Sequence, residues 1–110
     1  MAELLALENR PTAILTANDL TAIGALRVIH RHGLSVPGDF SVVGFDDIDL
    51  SDVVYPPLTT LRLPRHELAE TVVGALESFA DDPHGMGKQY RVKTSLVVRS
   101  STGLVKSSGR

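Results

Sequence analysis

Cysteine does not occur anywhere in the 110 residues, which excludes a disulfide framework and the usual zinc knuckles. A basic excess is missing too. Eleven Lys and Arg stand against 13 Asp and Glu, a formal net charge of -2, so this segment has no field suited to gripping a phosphate backbone. No apolar run is long enough to span a bilayer, and the start Met1–Arg10 (MAELLALENR) lacks the layout of a signal peptide. The expectation is a soluble cytoplasmic protein with no membrane partner. No G-x-S-x-G elbow surrounds Ser95 or Ser100, no internal repeat is visible, and nothing points to an enzyme. What remains is an ordinary globular composition with material for one core.

The apolar pattern predicts alternating helices and strands. Residues Ala2–Asn9 look helical, and Arg10–Pro11 stops the pattern. Thr12–Thr16 (TAILT) suits a short strand buried on both faces. Asn18 or Asp19 can cap a following helix with an apolar stripe of Leu20, Ile23, Leu26 and Ile29, which Gly33 ends. Phe40–Phe45 (FSVVGF) is a second apolar strand, closed by Asp46–Asp47. Strand, helix and parallel strand within some thirty residues make a βαβ unit. Ile48–Pro57 reads as a loop and Leu58–Leu63 as extended. Pro64 opens a helix running to about Asp81, with Leu68, Val72, Leu76 and Phe79 on one side, and Asp82-Pro83-His84-Gly85 ends it. Val92, Thr94, Leu96 and Val98 alternate with polar neighbours as one or two short strands, and Ser100–Arg110 is expected to fray. The fold class is α/β, a parallel sheet with flanking helices.

Ligands of open α/β sheets bind outside the carboxyl ends of the strands. Asn18 and Asp46 both fall there, after the first strand and at the end of the second. An amide offers donor and acceptor together, and a carboxylate accepts hydrogen bonds from adjacent hydroxyls. The pair suits a sugar, a nucleoside or a similar polyol. The plainer alternatives are that Asn18 only caps its helix and Asp46 only begins a loop. The Asp46–Asp47 pair also admits a magnesium reading, as in phosphoacceptor receiver domains. Against it, the later strands end in Leu63-Pro64 and Arg99-Ser100, without the aspartate such a domain needs. His30 and His32 sit near a helix end, where cations are favoured by the dipole, and suggest no metal. His66 and His84 stand alone. The apolar stretch Leu50–Tyr55 is either a partner surface or part of the core.

The ordered motifs Arg10–Leu20 (RPTAILTANDL), Ala22–Leu26 (AIGAL), Gly33–Pro37 (GLSVP), Ser41–Ile48 (SVVGFDDI), Pro56–Leu61 (PPLTTL) and Leu96–Thr102 (LVVRSST) resemble the carboxy-terminal portion of lac and gal repressor (LacI/GalR) regulators. The resemblance runs from about Leu4 to Thr102. It implies a type I periplasmic-binding-protein-like fold, here mainly the carboxy-terminal lobe, whose parent is a dimeric regulator without catalysis or cofactor. Operator DNA would be bound only through an amino-terminal helix-turn-helix absent from this chain.

By the same resemblance, Asn18 and Asp46 match the family's effector contacts. Leu63 falls where many sugar-binding relatives place a polar residue facing the cleft. Ile23, Val53, Val54 and Tyr55 fall on the dimerisation surface. Residues 1–62 and 92–102 would form the carboxy-terminal lobe, the helix 64–82 would belong to the amino-terminal lobe, and 103–110 would be a tail. The apolar face of that helix would then need covering by something beyond its own sheet, another copy included. The rival expectation is a periplasmic sugar-binding protein of a transporter, which shares the fold.

Overall fold

The computed structural model describes residues 1–82 and 87–105; Pro83, His84 and Gly85 of the expected helix stop, and the end of the expected tail, lie outside the described residues. The elements in chain order are α1 (Ala2–Leu5), β1 (Ala13–Leu15), α2 (Asp19–Arg31), β2 (Ser41–Asp46), α3 (Leu50–Val53), β3 (Thr59–Arg62), α4 (Arg65–Asp81) and β4 (Ser95–Val97). The strands form one sheet in the order β1-β2-β3-β4. β1 runs parallel to β2 with Ile14 opposite Val42, and β2 runs parallel to β3 with Phe45 opposite Leu61. Two compact units result, one of Met1–Arg62 and Leu96–Arg110, the other of Leu63–Ser95.

The core of the first unit lies between α2 and one face of the sheet. Ala22, Leu26, Ile29, Val36, Phe40, Val42 and Leu58 form a single buried cluster, with Ile14 and Val54 packed against it. Each large side chain buried there contributes about 1.5–3 kcal/mol. The cluster corrects the expected stripe of α2. Leu26 and Ile29 are buried, but Leu20 is exposed and Ile23 is only half-buried. Ala22 and Ala25 face inward instead, because small residues let the helix approach the strands closely. Nor is β1 buried on both faces. Ile14 shares the core face with Val42, whereas Leu15 points to the face α2 does not cover and is 70% exposed.

Three further expectations are corrected. The stretch 48–57 is no plain loop, since it contains α3. The first helix ends at Leu5, not Asn9, and buries none of its own residues, so little holds a longer one. Ser100–Thr102 does not fray. Ser101 is fully buried, its Oγ donating to Val42 O at 2.6 Å and accepting from Thr59 N at 2.8 Å, while Val42 N donates to Ser101 O at 2.8 Å. A short serine thus bridges β2 and β3. In β4 it is Val97 that is half-buried, with Leu96 and Val98 facing outward, the reverse of the expected parity.

In the second unit α4 starts after Pro64, whose carbonyl accepts from Leu68 N at 2.9 Å. No residue of α4 is buried, and Leu76 and Phe79 are 64% and 62% exposed.

Candidate functional site at the carboxyl edge of the sheet

Because β1, β2 and β3 are parallel, their carboxyl ends lie along one edge. Asn18 follows β1 there and Asp46 closes β2. Asn18 has an extended backbone, and its Oδ1 accepts from Thr21 N and Thr21 Oγ1, both at 2.8 Å. It therefore caps α2. The cap uses the oxygen only, which leaves Nδ2 as the donor that can address a ligand.

Asp46 has φ 115° and Asp47 φ 56°. Two successive non-glycine residues with positive φ are uncommon. Such backbone costs on the order of 1–3 kcal/mol per residue, survives only where its surroundings over-determine it, and gathers at ligand sites. Asp47 supplies part of that anchoring. Its Oδ2 pairs with Arg62 Nε at 2.6 Å and its Oδ1 with Arg99 Nη2 at 2.8 Å. Arg99 also reaches Asp52 at 3.2 Å and donates to Leu58 O at 2.9 Å. Burial by itself raises the Asp47 pKa, but the hydrogen bonds and charges of Arg62 and Arg99 more than reverse this and hold it below its ordinary value. With Asp47 committed to two guanidinium groups, the pair Asp46–Asp47 is not a two-carboxylate cation site. Among the described residues, no three His, Asp or Glu side chains gather as metal ligands.

Sequence reasoning missed Asp19 as anything but a capping alternative. Its side chain has no exposed surface. Oδ1 accepts from Thr60 Oγ1 at 2.6 Å, and Oδ2 accepts from Ser51 Oγ at 2.7 Å and Ile48 N at 2.9 Å. A Cβ on Gly44 would come within 2.1 Å of that Oδ1. The signal in the sequence was Gly44 itself, since a glycine inside a strand often marks the close approach of another group.

Leu63, the residue after β3, is half-buried and is counted with the second unit, so it is not grouped with Asn18 and Asp46 on this edge. Elsewhere on the first unit, Ile23, Leu26, Arg27, His30, Val54 and Tyr55 line a shallow depression of about 570 Å3. Val53 and Tyr55 are 73% and 85% exposed, while Val54 is half-buried against the core. This brings Ile23, Val54 and Tyr55 together on one surface. His32 caps the end of α2 through Nδ1 and Val28 O at 2.8 Å, as a helix-end residue would.

Residues 1–102 match the periplasmic binding protein-like domain. The lactose operon repressor of Rhizobium radiobacter is 51% identical over 98 residues, 89% of this chain and 86% of that relative. The transcriptional repressor CytR of Escherichia coli K12 is 40% identical over 103 residues, 93% of this chain but 30% of that relative. Among solved structures, a putative LacI transcriptional regulator from Bacillus cereus superposes with a TM-score of 0.84 at 29% identity, covering 93% of this chain and 36% of that one. A LacI family regulator from Enterococcus faecalis with bound ribose gives 0.80 at 31% identity, covering 96% and 39%. The lac repressor dimer bound to operator and an anti-inducer gives 0.73 at 42% identity, covering 84% and 32%. These relatives are transcription regulators rather than enzymes. The chain, which spans about a third of the length of most of them, belongs to the lac and gal repressor (LacI/GalR) family.

Proposed function

We propose that this chain is the effector-binding and dimerisation segment of a DNA-binding transcription regulator of the cytoplasm, and that its effector is a sugar or similar small polar ligand held by Asn18 and Asp46. The observation that carries this reading is the pairing of an amide donor and a strained carboxylate on one sheet edge. A ligand hydroxyl would give the Asp46 carboxylate a partner. The ribose bound by the Enterococcus faecalis relative supports a sugar-like ligand. Leu63 is a further proposed ligand residue on the family resemblance alone, at a position where many sugar-binding relatives carry a polar side chain.

Residues 1–62 and 92–102 act as the carboxy-terminal lobe, and 64–82 belongs with the amino-terminal lobe; the division of the chain at Arg62–Leu63 supports this, although the first unit resumes at Leu96 rather than at residue 92. The open apolar face of α4 is then met by that lobe. Dimerisation uses Ile23, Val53, Val54 and Tyr55, in keeping with the dimeric lac repressor. Operator DNA is contacted by sequence other than this segment, whose net charge is -2. The repressor relatives favour the regulator over a periplasmic transport protein.

The test is calorimetric titration of the regulator that carries this chain with ribose, cellobiose, lactose and adenosine. Losing a charged acceptor to a ligand hydroxyl costs about 1.5–3 kcal/mol, so Asp46→Ala is expected to weaken the bound member of the panel roughly ten- to hundred-fold. Unchanged affinity would exclude Asp46 from the site.

A further inference from the structure

Asp19 is the one charged side chain among the described residues with no exposed surface. It receives three hydrogen bonds, and the donors come from three separate segments. Thr60 lies in β3, Ile48 in the turn after β2, and Ser51 in α3. Three donors and no acceptor match the acceptor-only character of a carboxylate. The fold leaves room for it by placing Gly44 beneath its Oδ1. A buried charge that only had to be tolerated would need partners, but not partners drawn from the turn that carries Asp46.

The placement along the chain is what gives this side chain a role. Asp19 directly follows Asn18 and begins α2. Ile48 lies two residues past Asp46, and its amide is bound by Asp19 Oδ2. One hydrogen bond therefore ties the helix start that presents Asn18 to the turn that presents Asp46. The same oxygen holds Ser51, whose carbonyl accepts from Leu58 N at 2.7 Å, and Ser51 N donates to Ile48 O at 2.9 Å. The positive-φ pair Asp46–Asp47 is thereby fixed at both ends: by the β2 ladder before it and by Ile48 after it.

We propose that Asp19 is a positioning residue for effector binding, which sets the separation of Asn18 and Asp46 and holds the turn at Asp46–Asp47 in its binding conformation. The proposal rests on the reading of Asn18 and Asp46 as effector contacts. Asp19 touches no ligand itself and acts through Asp46. Asn at this position keeps the size but presents an N–H to one set of donors. Ser51→Ala removes a single donor and leaves the rest of the cradle in place.

The experiment is a double-mutant cycle on the intact regulator, with ribose as the calorimetric probe, together with amide hydrogen exchange. The proteins are wild type, Asp19→Asn, Ser51→Ala, Asp46→Ala and the two double variants with Asp46→Ala. Residues coupled through a shared network give non-additive effects. Asp19→Asn and Ser51→Ala are expected to weaken ribose about tenfold in the wild-type background and less than about twofold once Asp46 is Ala. Exchange is expected to quicken at the Ile48 amide while Val42, bonded to Ser101, keeps its protection. An equal loss in both backgrounds, or faster exchange across the whole sheet, overturns the proposal in favour of a purely structural role. If Asp19→Asn does not fold, Ser51→Ala decides alone. If ribose does not bind wild type, the panel member that does replaces it as probe; absence of binding by all four, or no effect of Asp46→Ala, counts against the functional reading itself. In that event the exchange pattern decides: quickening confined to residues 46–48 upholds the clamp, and uniform quickening overturns it.

Discussion

Gly44 occupies a strand interior where a β-branched residue would ordinarily suit the pleat better. It is there because the Asp19 carboxylate lies against it, at a distance where a Cβ would collide. Gly44→Ala is expected to destabilise the protein by about 1–3 kcal/mol, as overpacking of a filled interior does. An unchanged urea midpoint would mean that Asp19 is not seated on β2. Arg62 and Arg99 hold the folded pKa of Asp47 below the ordinary aspartate value despite the opposing effect of burial. A lowered folded pKa means that the ionised group stabilises the fold above its unfolded pKa, and that this contribution fades as pH falls through the lower folded value. The stability difference between wild type and Asp47→Asn should therefore be full above about pH 5 and shrink toward pH 3, below the reference value of about 3.9. A difference that stays constant over that range in pH-dependent urea unfolding would contradict the ion pairs as drawn.

Among the elements, α2 and α3 carry the proposed partner surface. Val54 is half-buried against the core, so a charge there would disturb the fold and the contact together. Val53 is exposed, and an exposed substitution typically alters stability by no more than about 0.5 kcal/mol. Val53→Asp is thus expected to leave the far-UV circular dichroism of the folded chain nearly unchanged while moving the sedimentation profile from dimer toward monomer, because it places unpaired charge in an apolar contact. A profile that stays dimeric would put the interface elsewhere.

Much of this level was legible in the sequence. The βαβ unit, the Asn18 cap, the end of β2 at the acidic pair and the helix opened by Pro64 all follow from local chemistry. The face of α2 was not. The expected stripe named Leu20, Ile23, Leu26 and Ile29, whereas the packed face is centred on Ala22, Leu26 and Ile29, with Leu20 exposed. The parity of β4 and the brief α3 were likewise decided by partners distant in the chain, Ser51 being held by Asp19. Asn18 and Asp46 could be picked out because strand ends are readable. Asp19 could not, since nothing in its neighbourhood shows that three donors will converge on it.

At the scale of the whole molecule, the chain covers about a third of most of its relatives. The effector cleft is proposed to draw on more of the regulator than the edge formed by β1, β2 and β3, and Leu76 and Phe79 of α4 are exposed. Asn18 and Asp46 are the residues proposed to hold the effector. A crystal structure of the regulator with the panel ligand it binds tests this most directly. Ligand hydroxyls are expected within about 2.5–3.2 Å of the Asp46 carboxylate and of Asn18 Nδ2, with Asn18 Oδ1 still capping α2. A ligand bound elsewhere, with Asp46 facing only water, would contradict it.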